Sequence, residues 1–217
     1  MIRTMLYFLI FAATVTTTGC ASSFLPKPVD APAVFTLASP ALPNAAPPSS
    51  LGIGAAPLGA ASAGPTLIIS APQASNGLNS THMLYVPRAN EIGYFVQSQW
   101  VDSPSAMLMP LIAQAIQSTG VFKAVISNPT SAISQFRMDT ELVKLEQSFL
   151  VKPSQVQFAL RAVIINTTTR SVVARRDFSA VMPTPTEDAY GGVIAAQRAV
   201  QVVLAELATF CADAVRQ

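Results

Sequence analysis

Val156, Phe158, Leu160, Ala162 and Ile164 occupy every second position of one short segment, with Arg161 on the other parity. Successive side chains of a β-strand point to opposite faces, so this run predicts a strand with one face in a core and one in water. The segment before it, Phe136 to Phe149, sets Phe136, Met138 and Leu142 against Arg137, Asp139 and Glu141. The apolar phase then slips to Val143 and Leu145. A bulge near Leu142–Val143 would produce that slip. Asn166 to Arg170 reads as a turn, after which Val172 to Val181 returns as a partner strand. The three runs predict an antiparallel meander with one charged face.

An apolar sheet face needs a cover, and two helical patterns provide it. Met107, Leu108, Leu111, Ile112, Ala115 and Ile116 share one helical face. Asp102-Ser103-Pro104 is a start signal, a capping side chain followed by a proline whose missing N–H costs nothing there. Gly120 stands where a left-handed cap would end the helix, and Pro110 should kink it or delay its first turn. A second helix is predicted from about Ala189 to Val215, with Val193, Ala196, Val200, Val203, Leu207, Phe210 and Ala214 spaced by threes and fours. Glu187 and Asp188 precede it as partners for its N-terminal dipole. Its seam contains two alanines and lacks dense flanking charge, which favours packing on the sheet over a coiled coil. Upstream, Thr66 to Ser70, Met83 to Val86, Ile92 to Trp100 and Val121 to Ile126 read as strands, and Phe35 to Leu37 as a short one. The expected fold class is α+β: a mostly antiparallel sheet with two helices packed on one face. The other face is then partly solvated, or covered by a loop or by another molecule.

The first third of the chain is of a different kind. Ten of the 17 prolines lie between Pro26 and Pro72, and only Lys27 and Asp30 are charged between Ala21 and Met83. Such composition favours extended or flexible chain. Before it, Met5 to Val15 is apolar or small, with Arg3 the only charge in residues 1–20. The run is about half the ~20 residues needed to span a bilayer and matches an export signal. Gly19-Cys20 resembles the end of a bacterial lipobox, in which the cysteine becomes a lipidated N-terminus. Cleavage after Ala21 is the rival, with Gly19 and Ala21 at the small-residue positions. The expected organisation is a signal peptide over 1–19, a tether over 20–33 and one domain over 34–217, with a low-complexity Ala/Pro/Gly loop at 39–65.

Little in the sequence points to chemistry. The net charge of +2, from 13 basic and 11 acidic side chains, offers no excess to neutralise phosphates, so nucleic acid is not an expected partner. One histidine and two cysteines make a protein-built metal or haem site unexpected, and no cofactor is expected. His82 has no nucleophile or carboxylate motif around it. The chain has neither a G-x-S-x-G nor an H-E-x-x-H motif. With Cys20 lipidated, Cys211 has no disulfide partner and falls on the apolar side of a helix, where it serves as a small buried hydrophobe. Arg175 and Arg176 point to opposite faces and cannot clamp one anion. No catalytic residue is assigned. Tyr94 and Trp100 share a strand parity; core packing is the simpler role for them, and an exposed aromatic patch for a protein partner the functional one.

Taken in order, several blocks resemble the ABC-type transport auxiliary lipoproteins, the PqiC-like family associated with MCE-domain transporters. They are Val34-Phe35-Thr36-Leu37 after the lipobox-like Cys20, Met83 to Trp100, Pro104 to Phe122, Arg137 to Leu142, the hairpin Leu160 to Phe178, and Ala189 to Phe210. The resemblance implies a non-enzymatic periplasmic lipoprotein that accompanies an MCE-domain protein with an ABC permease and ATPase. Such a system moves lipids or other apolar molecules across the envelope. It implies a membrane anchor through lipid on Cys20, and Ala21 after it favours the outer membrane. The domain is expected to bind a protein partner or itself, as a homo-oligomer. A structural or regulatory envelope lipoprotein, such as a cell-wall enzyme activator or a secretion-assembly subunit, would use the same design. The residues before Val34 reach roughly 40 Å at ~3.1 Å each, enough to stand a domain off a bilayer.

Overall fold

A computed structural model describes residues 31–37, 64–75, 77–127 and 133–216. The expected signal peptide, Cys20, most of the tether and nearly all of the 39–65 loop lie outside the described residues.

The sheet is organised by one strand, β7 (Phe136–Ser148). On one side it pairs along its whole length with β8 (Gln155–Asn166), which pairs in turn with β9 (Ser171–Pro183), all antiparallel. This is the predicted meander. The β7–β8 register shifts between Leu142 and Lys144, which leaves Val143 unpaired and exposed at the expected bulge. On its other side, β7 carries three short strands end to end: β2 (Thr66–Ile69), β3 (Gln73–Ala74) and β4 (His82–Val86). All three run parallel to β7, with Ile69 opposite Met138, Gln73 opposite Glu141 and Tyr85 opposite Gln147. Pro72, which has no N–H to give a ladder, falls at the first break in this edge.

Two extensions finish the sheet. At one end β6 (Ala124–Ile126) adds in parallel to β2. At the other, β5 (Gly93–Trp100) pairs antiparallel with β4, and β1 (Ala33–Phe35) lies parallel to β5. The nine-stranded sheet is therefore mixed. Its longest ladders are antiparallel, as expected, while the short N-terminal strands join it mainly in parallel.

Both helices form where predicted. The first, α1 (Pro104–Gln117), has Pro104 at its start, and Gly120 just beyond its end takes a φ of 66°. The second, α2 (Ala189–Ala214), is capped by Asp188, whose Oδ1 accepts from the Gly191 N–H at 2.7 Å. By length and composition alone α2 could cross a bilayer. In this fold Val193, Ala196, Val200, Val203, Leu207 and Cys211 are buried in the core, and α2 packs on β8, β9 and α1. Alanines fill much of its buried side, which lets helix and sheet approach closely. Facing it are Val156, Phe158, Leu160, Ala162 and Ile164 of β8, all buried, so the alternation in that strand does define the core face.

Two contacts at the start of α2 are specific enough to test. A Cβ at Gly191 would overlap the Thr186 carbonyl oxygen, a backbone atom, so glycine is what lets the first turn of α2 close against the residues before it. Gly191→Ala is expected to destabilise the domain by about 1–3 kcal/mol, the usual cost of overpacking, read as a lower urea midpoint with unchanged slope. The Asp188 carboxyl is held below the ordinary carboxylate range, first by the Gly191 N–H and then by the Thr186 hydroxyl. Its contribution is thus complete above the unfolded value of about 3.9 and is lost as pH falls through the lower folded value. Asp188→Ala should cost about 1 kcal/mol at pH 7. The gap between variant and parent in thermal melts should close as pH falls below that range.

Candidate functional site

The sheet face opposite the helices, uncovered by any other described residues, carries the polar chemistry of this domain, and the meander sets its order. Glu141, Arg161 and Asp177 lie opposite one another on β7, β8 and β9. Arg161 donates to Asp177 through Nε at 2.7 Å and to Glu141 through Nη1 at 3.0 Å. The hydrogen bond to Asp177 is the main reason the Arg161 guanidinium holds its proton more tightly than usual. The same bond is the first cause holding the Asp177 carboxyl below its usual range. The line continues past β7, where the Ser75 hydroxyl donates to Glu141 at 3.2 Å. Beside it, Asp139 accepts from Arg137 at 2.9 Å and from the Ser70 hydroxyl at 2.5 Å. Lys144 pairs with Glu146 at 3.2 Å. This is the charged face expected from sequence, a lattice of cross-strand partners joined by pairs two residues apart along β7.

A depression of about 270 Å³ lies over this lattice, lined by Gln73, Asp139, Thr140, Glu141, Arg161 and Val163. It falls just under the ~300 Å³ at which ligand pockets begin, and its charged groups already satisfy one another. A smaller cavity of about 20 Å³ lies under β5 and α2, lined in part by Phe95, Trp100, Gln147 and Gly192. That is room for one water and for no substrate. Gln147 donates there to the Ser154 hydroxyl at 3.0 Å, while its Oε1 is buried without a protein partner. Ser154 continues the network to Thr184 at 2.7 Å, and its N–H donates to Glu187 at 2.8 Å. Glu187 thus pins the strand ends below α2, and Asp188 caps the helix.

The remaining candidates separate clearly. His82 sits beside Tyr94, ring centroids 5.1 Å apart, with Ser80 its hydrogen-bonding neighbour. Arg175 is exposed on the charged face near Asp177, whereas Arg176 leans over Phe178 and reaches Glu206 at 3.7 Å, so the two do alternate. Tyr94 and Trp100 do not share a face: Tyr94 is 46% exposed and Trp100 only 4%. The cause is a β4–β5 ladder that jumps from the pair His82–Gln99 to the pair Leu84–Tyr94. Extra residues of β5 bow outward there, and strict alternation is lost. Val96, inside the bow, is 91% exposed. Alternation alone gave no sign of it.

Cys211 is fully buried against Met138, and burial pushes its thiol up to about 12. Among the described residues, no three His, Cys, Asp or Glu side chains are grouped to hold a metal ion.

The described residues thus form an α+β domain that presents surfaces rather than a cleft. The sequence matches the family model of the ABC-type transport auxiliary lipoprotein component over residues 50–208, and the chain belongs to that family. Protein XCC0632 from Xanthomonas campestris has the same fold: TM-score 0.67 at 19% identity, covering 72% of this chain and 88% of that one. A second solved structure, of an uncharacterized protein, overlaps at TM-score 0.56 and 11% identity, over 68% of this chain and 90% of that one. No functionally curated protein matches the sequence.

The burial of Cys211 has a direct readout. At alkaline pH below its titration, a thiol shifted from 9.0 to about 12 holds on the order of a thousandfold less thiolate. Native protein should leave Cys211 unmodified by iodoacetamide at pH 8, and urea-unfolded protein should be alkylated there within minutes, read by intact mass.

Proposed function

We propose that this chain is a non-catalytic periplasmic lipoprotein that serves an MCE-type ABC transport system moving lipids or other apolar molecules. Its partners are an MCE-domain protein, an ABC permease and an ATPase, and its anchor is lipid on Cys20, in the outer membrane. The observation that carries this reading is the family match over residues 50–208. Three features support it. Gly19-Cys20 follows an export-type apolar run, and Ala21 rather than Asp follows the cysteine. The charged side chains of the open face are engaged with one another instead of being aimed at a substrate. The larger depression is shallow, and the smaller cavity admits one water. A domain that binds its partner or a second copy, without turnover, fits these features best.

The test is affinity capture of tagged protein from gently solubilised envelopes after crosslinking at native expression. An MCE-domain protein recovered together with a permease and an ATPase is the expected result. Cell-wall or secretion components without them would overturn the transport reading in favour of a structural or regulatory lipoprotein. In the same cells, Cys20→Ser should abolish acyl-chain labelling and move the protein out of the membrane fraction.

A further inference from the structure

The uncovered sheet face is divided. Over β7, β8 and β9 it carries Arg137, Asp139, Glu141, Lys144, Glu146, Arg161, Arg175 and Asp177. Over β1, β5 and the start of β4 it carries no charge at all. No charged residue occurs between Asp30 and Arg88, nor between Glu91 and Asp102. The large apolar side chains exposed at that end are Val34, Ile92, Tyr94, Val96 and Val101, and the uncharged Thr36, His82 and Gln97 are exposed among them. The register shows which of them are neighbours. Val34 lies opposite Gln99, Gln99 lies opposite His82, and the His82 ring is against Tyr94. Val101 donates its N–H to the Phe35 carbonyl at 2.7 Å, which places it one step beyond Val34 on the same edge. Among the described residues, the charges bordering this end are Arg88 and Glu91, paired at 2.8 Å, Asp102, and the Lys144–Glu146 pair of β7 on the far side of β4.

This end is also where the tether enters the fold. β1 begins at Ala33, and 13 residues separate Cys20 from Val34. Fully extended they span at most ~45 Å, and as a flexible coil ~20 Å. By the ~4.8 Å strand spacing, β9 lies roughly 24 Å farther across the sheet. The uncharged end is therefore the part of the open face that follows Cys20 most closely along the chain.

We propose that the uncharged end of the open sheet face, centred on Val34, Tyr94 and Val96, rests on the bilayer to which the chain is tethered. The proposal depends on the reading that Cys20 is lipidated. Valine side chains and a tyrosine ring suit the headgroup boundary, where an apolar body and a polar tip are both satisfied. Such a patch binds weakly by itself. A short tether raises its effective concentration at the membrane to the order of millimolar, which turns weak contact into a preferred orientation. The charged meander then faces away from the lipid.

The experiment uses the full-length lipoprotein in vesicles of phosphatidylethanolamine and phosphatidylglycerol, with or without nitroxide-labelled lipid. Val96→Cys carries an environment-sensitive fluorophore. Ser179→Cys, exposed on β9 at the other end of the same face, is the control. Cys211 is buried and does not compete for label. At position 96 the nitroxide lipid should quench at least about twofold more than at 179, and adding Val101→Asp should remove the difference without changing the melting temperature. Equal quenching at the two positions, in protein whose intact mass includes the acyl chains, overturns the proposal and leaves the anchor reading standing. Protein whose mass lacks them overturns the anchor reading and this proposal with it. A label at 96 that is shielded only when copurified transporter proteins are present, and not by lipid, overturns it in favour of a protein partner.

Discussion

The fold depends on β7 having both of its backbone edges occupied. One edge is taken continuously by β8 and the other in three instalments by β2, β3 and β4. A strand of 13 residues runs about 43 Å, longer than any one of the upstream segments could match. The upstream chain matches it by returning to the same edge after each interruption. Ser70 donates to the Met138 carbonyl at 2.9 Å, Ser75 to that of Leu142 at 3.0 Å, and Phe149 to that of Val86 at 2.9 Å, so the joints between instalments are themselves hydrogen-bonded. The core follows from this: side chains of β7 and its neighbours reach one continuous face, and α1 and α2 close over it.

What could be read from sequence was whatever obeyed a period for long enough. The meander, the slip at Val143 and both helix starts were legible because alternation or three-four spacing ran through many residues. The two-residue β3 carries no period and went unrecognised. Orientation was hidden for a related reason. Val121 to Ile126 announces an apolar strand, but nothing within it says whether it will run parallel or antiparallel to its neighbour. Trp100 is the sharpest case. Parity counts residues, and β5 contains more of them than its partner opposes, so the count from Tyr94 to Trp100 gave the wrong face. The charge-free stretch containing β5 was visible throughout, but its meaning depended on which strands it joined.

Membership of the transport auxiliary lipoprotein family agrees with how this domain uses its polar side chains. An arginine with a carboxylate on each flank, and a serine beyond one of them, makes a surface that is polar yet electrostatically spent. The buried polar groups near Ser154 act likewise as fasteners, tying the β7–β8 connection to the residues before α2. On the uncharged end Tyr94 is half-exposed, placed there by the bow in β5, with exposed His82 and Gln97 near it.

The position of β7 in the chain governs when the domain can form. Its partner strands β2, β3 and β4 are synthesised first, yet the edge they need begins at Phe136. Until that residue emerges, the β4–β5 hairpin, β1 and α1 have no common surface on which to settle. Closing loops of this length before any reward makes folding slow compared with local structures. The cover for β8 and β9 comes last of all, from residues 189–214. A chain delivered from its N-terminus therefore stays open along most of its length until the final helix arrives.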